Sequence, residues 1–320
     1  MYNRDGDLLF TASKETSVGV THNLCLWLVE NGERVGTYDG HTGVVYSLDV
    51  TRDSKYLLSG SGDGTARLWE VLTGRLLATI PTKGGAPCHG VAWAEGERSF
   101  AVISNKFGAH DAQVNVYDFD PEAAGGEAAM VSAEPRFTFS DADTKEINYT
   151  RCAWMPMNDG ILLTMENGMM RHVDFATHAI KDEWTEHTAS ITSMVFNDTK
   201  TLLVTTSKDR SAVLWDVKEM AVRNRYTADV PLNAAALSPF KEHLILGGGV
   251  EAREVTTSAG AGKFETRFYD LVLATELGRV KGHFGPVNSL AFAPDGWGFC
   301  SGAEDGFVRL HKLDADYVSA

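Results

Sequence analysis

The sequence predicts an all-β fold, a closed ring of seven four-stranded blades, and three observations carry that prediction. One stretch, Gly40 to Leu72, reads as a blade in itself. The chain repeats that stretch at near-regular intervals. Its apolar runs are short, alternate in polarity and are separated by Asp-Gly or Asn-Gly turns, as hairpins require.

Within the first complete copy, Gly40-His41 precedes an alternating run of Val44, Tyr46, Leu48 and Val50. A period of two gives a strand one packed face. A second run ends in Ser59-Gly60-Ser61, Asp63-Gly64 supplies the positive φ of a tight hairpin, and a third run closes on Leu68-Trp69. His41 to Asp63 is 22 residues and Asp63 to Trp69 is 6. His187, Asp209 and Trp215 keep both intervals, as do His283, Asp305 and His311, with His in place of the Trp. A fixed period of this kind marks a repeat architecture.

Weaker copies follow the same ruler. Between 144 and 172 it sets Thr144 at the His position, Glu166 at the Asp position and His172 at the Trp position. Between 228 and 269, PLNAAALSP parallels PVNSLAFAP at 286–294. An insertion rich in Gly, Ala, Thr and Ser then occupies 247–263 and reads as a long loop between the second and third strands. The copy ending at Tyr117 is the most eroded, with a stretched hairpin around 105–112 and a low-complexity tract at 121–135, expected to be a solvated loop.

Third-strand anchors therefore fall at Trp27, Trp69, Tyr117, His172, Trp215, Tyr269 and His311, spaced 42, 48, 55, 43, 54 and 42 residues apart. The repeats run approximately over 1–39, 40–82, 83–142, 143–185, 186–227, 228–281 and 282–320, in one domain. A closed ring covers the apolar face of every blade and leaves few free edges. The first blade is the exception. Glu15 stands at its turn-Asp position, which puts its His before Met1, so its first strand is expected to be mostly missing. The strand that would complete the last blade is expected to be missing with it, as in a gene model that starts late, because an open seam exposes a sheet edge.

Composition narrows the function. Against 29 Lys and Arg stand 43 Asp and Glu, a net charge of −14, which argues against broad binding to nucleic acid or anionic membranes and favours protein partners. Cys25, Cys88, Cys152 and Cys300 lie far apart and suggest neither zinc nor disulfides, so reduced thiols in a cytoplasmic protein are expected. No apolar run is long enough to span a membrane.

The co-occurrence of His41, Ser59 and Asp63 raises the question of catalysis. The set recurs with Trp69, as His187, Thr205, Asp209 and Trp215, and as His283, Ser301 and Asp305. An active site occurs once; a structural device recurs. Buried polar groups left unsatisfied cost about 1–3 kcal/mol each, so a hydrogen-bonded chain fastening each blade is expected. Gly260 to Lys263 lacks the flanking residues of a phosphate loop, and Gly247 to Gly249 opens no apparent helix. His89 and His110 have no carboxylate or thiol at ligand spacing and read as surface or packing residues. No catalytic residue, cofactor, metal or small-molecule substrate is expected.

These blades resemble the WD40 repeat family. The segments LGGGVEAREVTTSAGAGKFETRFYD at 246–270, LGRVKGHFGPVNSLAFAPDG at 277–296 and SGAEDGFVRLH at 301–311 resemble one member of it, the i subunit of eukaryotic translation initiation factor three. NGERVGTYDGHTGVVYSLDV at 31–50 and TASKETSV at 11–18 are similar to the same family. The resemblance implies a non-catalytic scaffold, bound to subunits b and g and associated through them with the small ribosomal subunit. It further implies that a C-terminal helix of the b subunit meets acidic residues on the later blades, with Asp209 and Asp229 as counterparts. The repeats by themselves also suit another WD40 adaptor, in signalling or as the substrate receptor of a ubiquitin ligase.

Overall fold

The computed structural model describes residues 1–13, 24–123, 130–140, 148–175, 177–250 and 264–319. Among these residues, seven antiparallel sheets follow one another along the chain; five have four strands, and the first and last have three. Blade 2 sets the pattern, with strands Val45–Val50, Tyr56–Ser61, Thr65–Glu70 and Leu76–Pro81 paired in chain order. The first strands of successive blades contact one another, so they form the inner wall of the ring. This is a seven-bladed β-propeller.

Alternation in each strand gives a blade two apolar faces, and neighbouring blades cover them. Seven apolar clusters result, one at each boundary between blades. Trp69 packs with Leu24, Leu57 and Phe10 toward blade 1, whereas Leu58, Ala66 and Leu68 face blade 3 with Phe100 and Val102. The cluster closing the ring, between blades 7 and 1, is small: Tyr2, Leu9, Ala293 and Cys300. Blade 1 consists of Leu8–Ala12, Leu24–Leu28 and Arg34–Thr37. The start of the chain occupies the inner place beside them, where Phe10 N–H donates to the Met1 carbonyl at 2.8 Å and Tyr2 bridges Leu9. In blade 7 the sheet ends on Val308–Lys312. Beyond it the short helix Ala315–Ser319 is pinned by a Tyr317 hydroxyl to His243 Nδ1 contact of 2.8 Å.

All seven anchors lie in the third described strand of their blade or, in blade 1, the second. In blade 4 the structure corrects the frame by one residue. Its turn glycine is Gly168 (φ +88), the counterpart of Gly64 (φ +79) and Gly306 (φ +80). Asn167 Oδ1 accepts the Met169 N–H at 3.1 Å, as Asp63 accepts that of Thr65 at 3.0 Å. Asn167, not Glu166, is therefore the turn residue. Val173 takes the Trp place and packs toward blade 3, and His172 lies on the opposite face, as a one-residue slip dictates. Glu166 imitates the charge of the turn Asp, but positive φ is what fixes the turn, and that falls on Gly168. Thr144 and Glu15 lie outside the described residues.

The low-complexity tract also departs from expectation. At its end, Met130 and Val131 pack on the cluster between blades 2 and 3, and the Asp120 N–H donates to the Met130 carbonyl at 2.8 Å. In blade 6 the insertion joins His243–Gly248 to Glu265–Asp270, the second and third strands, and its residues 251–263, Gly260 to Lys263 included, lie outside the described residues. No helix among the described residues is long and apolar enough to cross a membrane.

Candidate interaction face

On one face of the ring, in blades 2, 4, 5 and 7, the loop entering the blade meets the turn between its second and third strands. In blade 2 the Gly40-His41 pair has a steric cause. Gly40 sits at φ +148, and a Cβ there would lie 2.1 Å from the Arg67 guanidinium. His41 is thereby delivered beneath the turn, with Nδ1 2.8 Å from Asp63 and Nε2 2.7 Å from Ser59 Oγ. Trp69 Nε1–H donates to the same Oγ at 2.8 Å. Because the indole can only donate, Ser59 donates onward to His41 Nε2, and His41 Nδ1–H donates to the carboxylate. A single direction runs from Trp to Asp.

Blade 5 repeats this chain through Trp215, Thr205, His187 and Asp209 at 3.0, 2.9 and 3.1 Å. Blade 7 runs it through His311, Ser301, His283 and Asp305 at 3.0, 2.7 and 3.0 Å. Among its described residues blade 1 has the first link, from Trp27 Nε1–H to Thr11 Oγ1 at 2.8 Å. Thr11 escapes the sequence ruler because it stands 16 residues before Trp27, against 10 from Ser59 to Trp69. Ser59, Thr205 and Ser301 are each fully buried, and each hydroxyl already holds two partners. The group order imitates an acyl-transfer triad, but no substrate reaches these oxygens.

Burial pushes the His41 and His187 rings below their ordinary value, more than the adjoining carboxylates raise them. Burial pushes the Asp63 and Asp209 carboxyls up, but hydrogen bonds outweigh it and hold both below the usual range. Asp209 accepts from Thr188 N–H at 2.9 Å and from the Ser211 hydroxyl at 2.6 Å, and its side chain is only 10% exposed. Asp229 differs. It lies in the loop from blade 5 to blade 6, its side chain is 41% exposed, and it pairs with buried Arg267. The Ala228 N–H donates to the Arg210 carbonyl at 2.8 Å, so the stretches carrying Asp209 and Asp229 are bonded directly to each other. Among the described residues, no group of three or more His, Cys, Asp and Glu converges at metal-binding distance.

The whole chain, residues 1–320, matches the family model EIF3I. It belongs to the family of eukaryotic translation initiation factor 3 subunit I. Curated proteins of that name are 37% identical over 318 residues in Drosophila virilis and 38% in Drosophila melanogaster, covering 99% of this chain and 94% and 93% of theirs. The subunit I of Culex quinquefasciatus is 37% identical over 317 residues. Among solved structures, the chain resembles the Cps50 (Swd1) β-propeller domain of Myceliophteria thermophila, with TM-score 0.79, 15% identity and coverage of 98% of this chain and 95% of that one. A chain of the mitotic checkpoint complex matches with TM-score 0.74 and 15% identity, over 98% of this chain and 85% of that one. At that identity the likeness shows the fold alone.

Proposed function

We propose that the chain is a non-catalytic scaffold subunit of the cytoplasmic initiation factor 3 complex, binding subunits b and g and supporting assembly on the small ribosomal subunit. Membership of the EIF3I family over the full chain carries this reading. The burial of the Ser59, Thr205 and Ser301 hydroxyls supports a structural use of the polar chains.

For the contact itself we place a basic amphipathic helix of subunit b across the blade 5 and blade 6 loops. Asp229 offers the exposed carboxylate there; Asp209, committed to its own turn, adds charge from beneath. The net charge of −14 favours such a partner. Asp229→Lys is expected to weaken binding to subunit b at least tenfold in calorimetry, since a like charge replaces an opposite one. Asp209→Lys is expected to lower thermal stability as well. Unchanged affinity in a folded Asp209→Lys, Asp229→Lys double variant overturns the acidic contact.

A further inference from the structure

At the same end of all six complete inner strands the register slips by one residue, at Val45/Ser47, Cys88/Gly90, Tyr149/Arg151, Ile191/Ser193, Leu232/Ala234 and Val287/Ser289. A bulge re-aims the extra side chain. Here the bulged residues meet across blades: Tyr46 stacks on His89 with centroids 4.3 Å apart, and Asn233 Nδ2 donates to Asn288 Oδ1 at 2.9 Å. Together they ring the mouth of the central channel.

One position below the bulge, the blades carry Ser47, Gly90, Ser193, Ala234 and Ser289, all small. Blade 4 carries Arg151. Arg151 is half-buried, its guanidinium donates to the Thr150 carbonyl at 2.9 Å, and it pairs with no carboxylate among the described residues. The outward arginines contrast with it: Arg171 pairs with Glu183, Arg267 with Asp229, and Arg67 and Arg309 each come within 4.0 Å of their turn aspartate. In a chain of net charge −14, a half-buried cation with no paired acid among the described residues is the anomaly. A guanidinium presents five N–H donors in a planar fork that fits carboxylate and phosphate oxygens.

We infer that Arg151, with Thr150 and with the His89 ring that stacks on Tyr46, forms an oxyanion site in the channel mouth that takes a carboxylate or phosphate group. Burial together with Arg151 pushes the His89 pKa down to about 4, so its ring is neutral near pH 7 and the site's charge comes from Arg151. The Thr150 hydroxyl, 2.8 Å from that of buried Thr164, anchors the bulge that carries Arg151. The site lies on the inner wall, apart from the outer loops proposed for subunit b, and stands whether or not that proposal does.

The test uses the full chain with inorganic phosphate and with acetate as probes, each against chloride at matched ionic strength. Calorimetry on the wild type should give saturable heat with phosphate, acetate or both, and the arm that binds identifies the preferred oxyanion. Arg151→Gln, checked for fold by circular dichroism, should abolish the saturable heat; Arg151→Lys, which keeps charge without the fork, should retain weakened binding. Tyr46→Ala removes a half-exposed ring from the rim, should also weaken binding, and serves if Arg151→Gln does not fold. No saturable heat in the wild type, or equal binding in Arg151→Gln or, failing its folding, in Tyr46→Ala, overturns the site.

Discussion

Blades 2 and 4 have the same backbone and opposite interiors. Blade 2 fastens its turn through a buried polar chain from Trp69 to Asp63, whereas blade 4 has Leu163 and Val173 where blade 2 has Ser59 and Trp69. Leu163 is fully buried and Val173 is 1% exposed. Removing both partners of a buried hydrogen bond together is nearly neutral, while removing one leaves the other unsatisfied. The comparison teaches that bonded partners within the polar chain are kept or replaced together. Blades 2, 5 and 7 keep the chain whole, and blade 4 replaces its buried core with apolar side chains.

The largest expected effect separates the two interiors by size. Trp69→Ala removes a fully buried indole and takes one of the two partners of Ser59, and should cost about 3–5 kcal/mol in urea denaturation. Val173→Ala in blade 4 should cost about 2 kcal/mol. Equal losses would erase the distinction. The next effect concerns the turn residue. Asp63→Ala leaves the buried His41 Nδ1–H without its acceptor and should cost about 1–3 kcal/mol, while Asn167→Ala, at an exposed position, should stay within about 0.5 kcal/mol.

A pH series sharpens the contrast further. His41 and His187 have folded-state pKa values below the ordinary 6.5, so the unfolded chain binds more protons as pH falls through that value. Stability from these rings is present above pH 6.5 and is lost below it. The depressed carboxyls of Asp63 and Asp209 extend the loss below pH 3.8. The melting temperature should therefore drop between pH 7.5 and 5.5, and drop less in a His187→Leu, Thr205→Val, Trp215→Phe variant that makes the blade 5 interior apolar, like that of blade 4. An undiminished drop would show that these rings are not its source. The smallest effect is a gain. Arg210 occupies in blade 5 the turn position of Gly64 and Gly168, at φ +70, and Arg210→Gly should stabilise by about 0.5 kcal/mol.

The contrast also marks what could be read in advance. Period and alternation set the blade count and the third strands, because each strand's pattern is local and each blade contacts only its neighbours. The positions of His41, Ser59, Asp63 and Trp69 stand out by spacing alone. Thr11 does not, since the insertion before Trp27 breaks the interval that would point to it. In blade 4 the interval itself misled, because the side chains that define it had been replaced and only the positive-φ glycine remained to mark the turn.

By itself, then, the sequence determined the all-β ring, its seven units and the polar residues that recur in them. Tertiary structure alone decided which face each residue takes in blade 4, that Asp209 is committed within its turn while Asp229 remains half-open, and that Arg151 stands at a position small in the other blades, with no paired acid among the described residues. The physical reason is range. Strand periodicity and turn φ are fixed by adjacent residues, whereas burial, ion pairing and register across a sheet depend on groups brought together from distant parts of the chain.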